Sequence, residues 1–405
     1  MTRANRPHAD RPPTESPGPQ GLDRPGAPGT PGAPDSHPSY RCPLDGTRVP
    51  VEADAPWCCP VCRGPWDLDF TAGAVRASAL AGRVGSLWRY AEALPLAGPP
   101  PVTLGEGRTP LVPLTDTVTA KLDFLMPTLS FKDRGAVLLA ELARRLAPER
   151  VVADSSGNAG TSVAAYLARA QLPCTVYVPE STSPKKVEQI AAHGARVERV
   201  PGDREATARA ARRAADTPGT FYASHVFNPY FLHGTKTYVY ELWEELGGRL
   251  PEAIVVPVGN GTLLLGAALA TAELYAHGLI PERPALVAVQ AEAVSPLARA
   301  FRAGAEDAAE VPAAETLAEG IAITAPPRAR QILRAVRESG GTFLTVNEDQ
   351  IRAAQLDLAG RGLFVESTAA ACWAAVTATP PPLTDRSTVV PLCGAGLKTG
   401  VAAGV

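Results

Sequence analysis

The sequence predicts a parallel α/β fold, and three observations carry that prediction. Short β-branched or apolar runs recur along the chain, each ends in a glycine- or serine-rich turn, and alanine-rich helical pattern follows. Val151-Val152-Ala153 leads into a Ser/Gly/Asn turn and the apolar helix expected over 162–170. Cys174 to Val178 precedes Pro179, and Ala253 to Val258 precedes a glycine turn and a helix expected over 263–275. Ala285 to Val289 and Thr388 to Leu392 are further short runs bounded by turn residues. Strand, turn and helix repeated in this way imply mostly parallel sheets with both faces covered. In such sheets a ligand sits beyond the carboxyl ends of the strands, where these turns lie.

Composition limits the alternatives. With 39 basic and 41 acidic residues among 405, the chain lacks the basic excess that an electrostatic nucleic-acid binder needs. The most apolar stretch, Ala253 to Leu274, is interrupted by Gly259-Asn260-Gly261-Thr262, so no membrane span is expected. The first residues lack an apolar signal core. Ten of the 41 prolines fall in residues 1–39, where Leu22 is the only large aliphatic side chain. That segment is expected to be a disordered tail, because it offers too little apolar surface to offset its ordering entropy. Cys174, Cys372 and Cys393 are scattered, as in a protein of the reducing cytoplasm.

Residues 40–70 gather the other cysteines. Cys59-Pro60-Val61-Cys62 is a C-x-x-C knuckle of the kind that offers two thiolates to one zinc ion. Upstream, Cys42-Pro43-Leu44-Asp45 supplies a third thiol, with Asp45 where a fourth cysteine would complete the set. The metal ligands expected here are Cys42, Cys59 and Cys62, with Asp45 or Cys58 as the fourth. A ribbon that has lost its metal is the competing reading.

Three turns carry chemistry. In V-V-P-V-G-N-G-T (255–262), glycines after a buried strand let the backbone approach an anion at a helix start, so a phosphate is expected. The third glycine comes too late for the dinucleotide fingerprint G-x-G-x-x-G. In P-T-L-S-F-K-D-R-G (127–135), Lys132 stands at the approach to a helix expected over 136–146. A cation there opposes the helix dipole, so something should compensate it; the readings are a solvated lysine near a helix start and a lysine that forms a Schiff base with a carbonyl cofactor. In D-S-S-G-N-A-G-T-S (154–162), small residues at a strand end suit a substrate carboxylate, although an ordinary capping turn reads the same way.

Together and in this order, these segments resemble the fold-type II pyridoxal-phosphate enzymes, and among them the threonine synthases. The resemblance runs from about Tyr40 to Lys398. It takes in G-E-G-R-T-P-L (105–111), the lysine segment, S-S-G-N-A-G-T-S and Y-A-S-H…N-P-Y-F-L-H-G-T-K-T (222–237). V-G-N-G-T, G-L-F-V-E-S-T-A-A (362–370) and C-G-A-G-L-K (393–398) complete it.

The resemblance implies a role for each matching residue. Lys132 would hold pyridoxal 5'-phosphate as a Schiff base and then act as base at the substrate α-carbon, with Phe131 bordering the cofactor. Asn158 would bond the phenolic oxygen, Gly259, Asn260, Gly261 and Thr262 would hold the phosphate, and Cys393 would face the ring nitrogen. A neutral thiol there leaves that nitrogen free to lose its proton, which favours elimination and replacement over transamination. Ser155, Ser156, Gly157 and Ala159 would bind the carboxylate of a small amino acid. For a leaving phosphate the candidates are Arg134, Lys236, Lys185 and Lys186, the last two equally readable as surface charge.

The implied reaction is that of threonine synthase: O-phosphohomoserine and water give threonine and phosphate. Three departures bear on it. Leu129 stands where relatives keep a small residue and would narrow the substrate space, Ser367 replaces a proline, and Ala395 replaces a polar residue. A serine/threonine dehydratase-type deaminase or a β- or γ-replacement enzyme is therefore a further reading. A nicotinamide oxidoreductase leaves Lys132 unexplained, and a metabolite sensor without catalysis leaves both Lys132 and Asn158 so. The resemblance also implies a large domain (71–135 and 226–405), a small one (136–225) and a homodimer.

Overall fold

The computed structural model describes residues 38–96, 98, 102–378 and 385–400, and residues 37–405 fall in one compact unit. The expected tail over 1–39 lies almost wholly outside the described residues. The described chain begins with an antiparallel sheet of β1 (Ser39–Arg41), β2 (Arg48–Pro50) and β3 (Asp67–Asp69), with β1 in the middle. The rings of Tyr40 and Trp66 stack across it at 5.9 Å.

Next come β4 (Leu111–Pro113) and β5 (Val118–Lys121), which pair antiparallel. The chain then builds a separate, wholly parallel sheet from β6 (Arg150–Asp154), β7 (Cys174–Pro179), β8 (Arg196–Val200) and β9 (Thr220–Tyr222), in the order β8-β7-β6-β9. Finally β10 (Ala253–Pro257), β11 (Ala285–Ala291), β12 (Thr342–Val346) and β13 (Thr388–Pro391) join β4 and β5 in the order β12-β11-β10-β13-β5-β4. All pairs in this second large sheet are parallel except β4 with β5. Every residue of β10 is buried, as a strand covered on both faces requires.

The helices begin earlier than the sequence pattern suggests. Lys132–Leu146 starts at the lysine itself, Asn158–Arg169 at the asparagine of the serine turn, and Thr262–Ala276 at the threonine of the glycine turn. Apolar periodicity marks only the parts of a helix that pack, whereas these first turns face a cleft and carry small or polar residues. Thus each motif provides both a turn and the opening N–H groups of a helix. Among the described residues no helix is long and apolar enough to cross a membrane.

Strand order fixes where a ligand can go. Each parallel sheet has a point where successive connections run in opposite directions, between β6 and β9 in one and between β10 and β13 in the other. The serine turn follows β6, His225 follows β9, the glycine turn follows β10 and Cys393 follows β13. The carboxyl ends at both switch points therefore deliver the chemically active turns.

Candidate active site

Those turns line one cavity of about 570 Å³. Of the residues named from sequence, Phe131, Lys132, Ser155, Ser156, Gly157, Asn158, Ala159, Gly259, Asn260, Gly261, Thr262 and Cys393 all face it. The four-stranded sheet contributes the serine turn, and the six-stranded sheet contributes the glycine turn and Cys393. Lys132 enters from the helix that connects them.

The glycine turn is shaped for an anion. Gly261 has φ +74°, and a Cβ there would lie 2.3 Å from the Ile332 side chain. A Cβ on Gly259 would lie 2.9 Å from Ile321 Cα. Glycine is thus required at both positions, leaving backbone N–H groups bare at the start of a 15-residue helix. The chain's own residues fit a phosphate at this point. The start of Asn158–Arg169 opens onto the same cavity and offers a second anion site for a carboxylate.

Lys132 has the environment of a reactive amine. Burial pushes its ammonium down from 10.5 to about 8, aided by Arg204 and opposed by Cys393 and Glu366. Among the described residues its Nζ has no hydrogen bond or ion pair, and only the Phe131 ring lies beneath it, at 4.1 Å. The neutral amine, which a Schiff base requires, is therefore abundant near pH 8.

A hydrogen-bonded row forms the wall beside it. Asn158 Nδ2 donates to Glu366 Oε2 (2.9 Å), and Lys398 Nζ donates to Asn158 Oδ1 and to the Thr128 carbonyl (2.8 Å each). Cys393 Sγ donates to Glu366 Oε1 at 3.8 Å. Burial pushes the Cys393 thiol well up, with the Glu366 charge adding to the effect, so the thiol stays neutral. Burial also raises the Glu366 carboxyl, and the Asn158 amide, Lys398 and Lys132 oppose that rise. The His225 imidazole is held well down by burial and by the charges of Lys132 and Arg204, so it is neutral beside the lysine.

Two expected phosphate ligands lie elsewhere. Arg134 is fully buried and saturated, bonding Asp123 (2.8 and 2.9 Å) and Glu241 (2.6 and 2.8 Å). Two positions after Lys132 on the same helix, it faces a different side and ties the turn after β5 to the helix Thr237–Glu245. Lys236 is likewise fully buried, held by Glu273 at 2.6 Å and His233 Nδ1 at 3.0 Å. Neither lines the cavity, so both roles are corrected to structural ones. Lys185 does not line it, whereas Lys186 does and pairs with Glu319 at 3.1 Å.

Leu129 and Ala395 also fall outside the lining. Leu129 has φ +63°, so a small residue, glycine above all, is favoured there by backbone conformation rather than by substrate space. Glu366, Lys398, Arg204 and His225 line the cavity without having been assigned a role from sequence. Glu366 and Lys398 sit inside motifs that mark the resemblance, and Arg204 had a readable signal, a cation opening a helix.

In the turns around the small antiparallel sheet, ligand atoms of Cys42, Asp45, Cys59 and Cys62 lie within 4.8 Å of one another. The Cys42 and Cys62 sulfurs are 3.5 Å apart, close to the roughly 3.8 Å edge of a tetrahedral zinc–thiolate site. Cys58 belongs to a different cluster, with Val152, Tyr222 and Phe227. Of the two candidates for the fourth position, Asp45 is the one grouped with the three thiols, and Cys58 lies outside that group.

Parallel sheets that deliver a lysine and two helix-starting turns to one cleft define a cofactor-dependent α/β enzyme. Residues 102–394 match the family model described as "Pyridoxal-phosphate dependent enzyme", and the chain belongs to that family. It is 33% identical over 326 residues to the threonine synthase of Methanosarcina acetivorans, covering 77% of this chain and 80% of that one. It is also 33% identical over 298 residues to the threonine synthase of Mycobacterium leprae, covering 71% and 80%. Among solved structures, a threonine deaminase from T.th. shares 27% identity at a TM-score of 0.58, covering 69% of this chain and 87% of that one.

Proposed function

We propose that this enzyme is a threonine-synthase-type lyase that converts O-phosphohomoserine and water to threonine and phosphate. The single observation that carries the reading is the 33% identity with threonine synthases over most of both chains. The cavity chemistry agrees with it: one unpaired lysine between two anion-ready helix starts.

Pyridoxal phosphate, when bound, supplies an electron sink that acidifies the substrate α-carbon. Gly259, Asn260, Gly261 and Thr262 would hold its phosphate through backbone N–H groups. Ser155, Ser156, Gly157 and Ala159 hold the substrate carboxylate and so orient the α-proton. Lys132 Nζ, neutral above about pH 8, takes that proton. Asn158, held by Lys398 and Glu366, would bond the phenolic oxygen. Cys393, kept as a thiol, leaves the ring nitrogen without an ionic partner of its own. Closure of the 136–225 part over the rest would exclude water from the reacting carbons.

The test is the product. Incubated with O-phosphohomoserine, the enzyme is expected to release inorganic phosphate and threonine in equal amounts. Ammonia and a 2-oxo acid from serine or threonine, without phosphate release, would establish instead the dehydratase reading that the threonine deaminase likeness favours. We infer further that the enzyme works in the cytoplasm as a homodimer. Its ribbon would hold one structural zinc on Cys42, Asp45, Cys59 and Cys62.

A further inference from the structure

The three-stranded ribbon sets one of its carboxylates against the body of the enzyme. Asp67, in β3, accepts from Arg328 Nη1 at 3.0 Å and from Gln331 Nε2 at 2.9 Å to each oxygen. Arg328 is fully buried, and its other donors go to the carbonyls of Trp66 (2.6 Å) and Val226 (2.8 Å). Burial pulls its guanidinium down, and the Asp67 charge opposes the pull. Among the described residues Asp67 is its only ion-pair partner.

The clamp closes on a helix start that backs the cavity. Arg328 immediately precedes the helix Ala329–Glu338, and Gln331 lies in its first turn. A carboxylate held there is also favoured by the helix dipole. The next residue, Ile332, is fully buried, and its side chain is the one that a Cβ on Gly261 would meet at 2.3 Å. The glycine turn therefore rests on the helical turn that Asp67 holds. The Val226 carbonyl belongs to a second wall, next to His225, which lines the cavity.

We propose that Asp67 is a positioning residue for the cofactor: through Arg328, Gln331 and Ile332 it fixes the glycine turn at the spacing a phosphate needs. The ribbon is then part of the active-site wall, whatever its cysteines and Asp45 hold. The inference rests on reading residues 259–262 as the phosphate cradle of pyridoxal phosphate, and on neither the reaction nor the metal. Asp67 acts without touching the ligand, so its loss is felt at the phosphate and not at the ring.

The experiment titrates apoenzyme with pyridoxal 5'-phosphate and, in parallel, with pyridoxal, which lacks the phosphate. Wild type is expected to prefer the phosphorylated form. Asp67→Asn should weaken binding of pyridoxal 5'-phosphate about 10-fold and that of pyridoxal by less than about twofold, the lower end of the scale for a partner one step removed from a ligand. The phosphorus NMR resonance of the bound cofactor should move in the same variant. Gln331→Leu leaves the ion pair in place and should give a smaller loss with the same selectivity, so it carries the test if Asp67→Asn does not fold. Arg48→Ala, which breaks the ribbon's exposed pair with Asp69, should change neither affinity. Equal losses for the two ligands, or a phosphate preference that survives in both Asp67→Asn and Gln331→Leu, would overturn the assignment. A wild type without the preference would instead overturn the cradle reading on which it rests.

Discussion

Lys132 and Arg134 are two residues apart on one helix turn, yet they belong to opposite kinds of place. Arg134 lies in a sealed network in which Asp123 and Glu241 use its donors and Lys121 adds a second cation to Glu241 at 3.0 Å. Lys132 opens into a cavity with an aromatic face for company and no counter-charge bonded to it. The first arrangement fixes one geometry; the second leaves a group free to react. The lesson is that a buried cation is informative through what it lacks. A saturated one holds the fold, and an unsaturated one waits for a ligand.

Breaking each side should produce different failures. Lys132→Ala is expected to lower turnover more than about 1,000-fold, near the upper range for loss of a positioned base, while thermal unfolding of the apoenzyme changes little. A variant that keeps a tenth of its activity would place the base elsewhere. Arg134→Met should do the reverse. It strands Asp123 and leaves Glu241 with Lys121 alone, at about 3–5 kcal/mol in urea titration, while properly folded molecules keep their cofactor binding. Normal stability would show the network to be dispensable.

The pH dependence differs between the two regions as well. Burial alone would raise Glu241, but Arg134 and Lys121 hold it down at about 2. Its contribution is therefore complete above the ordinary 4.5 and is lost as pH falls from there toward 2. Lys132 also lies below its reference, but here burial rather than ion pairing is the cause and the neutral form is favoured, so apoenzyme should capture pyridoxal phosphate faster as pH rises through about 8. A midpoint near 10.5 would contradict the desolvated, unpaired amine.

The ribbon gives a smaller effect. Asp45→Ala is expected to lose zinc, measured by elemental analysis, and to lower the unfolding temperature by a few degrees, while Cys58→Ala keeps a full equivalent. Equal loss from both would restore Cys58 to the ligand set. Smallest of all, Leu129→Gly should alter activity by less than about twofold, because it relaxes a positive φ without reaching the cavity.

Much of this was legible before any coordinates. The buried runs that became β6, β7, β10, β11 and β13 stood out because interior parallel strands are continuously apolar. The strands β4, β8, β9 and β12 did not, and all four are sheet edges. Arg196–Val200, for example, alternates charge with valine and leans on β7 for its identity. The twelve cavity residues named by motif were readable because turn chemistry is local. The roles of Arg134 and Lys236 were not, since their partners Glu241 and Glu273 lie 107 and 37 residues away.

The central claim is that Lys132 alone among the cavity lysines is left free for the cofactor. Borohydride reduction of the holoenzyme, followed by peptide mapping, tests it directly. One pyridoxyl group on the peptide that contains Lys132 is the predicted result. A label on Lys398, Lys186 or Lys236, or no label at all, would contradict it.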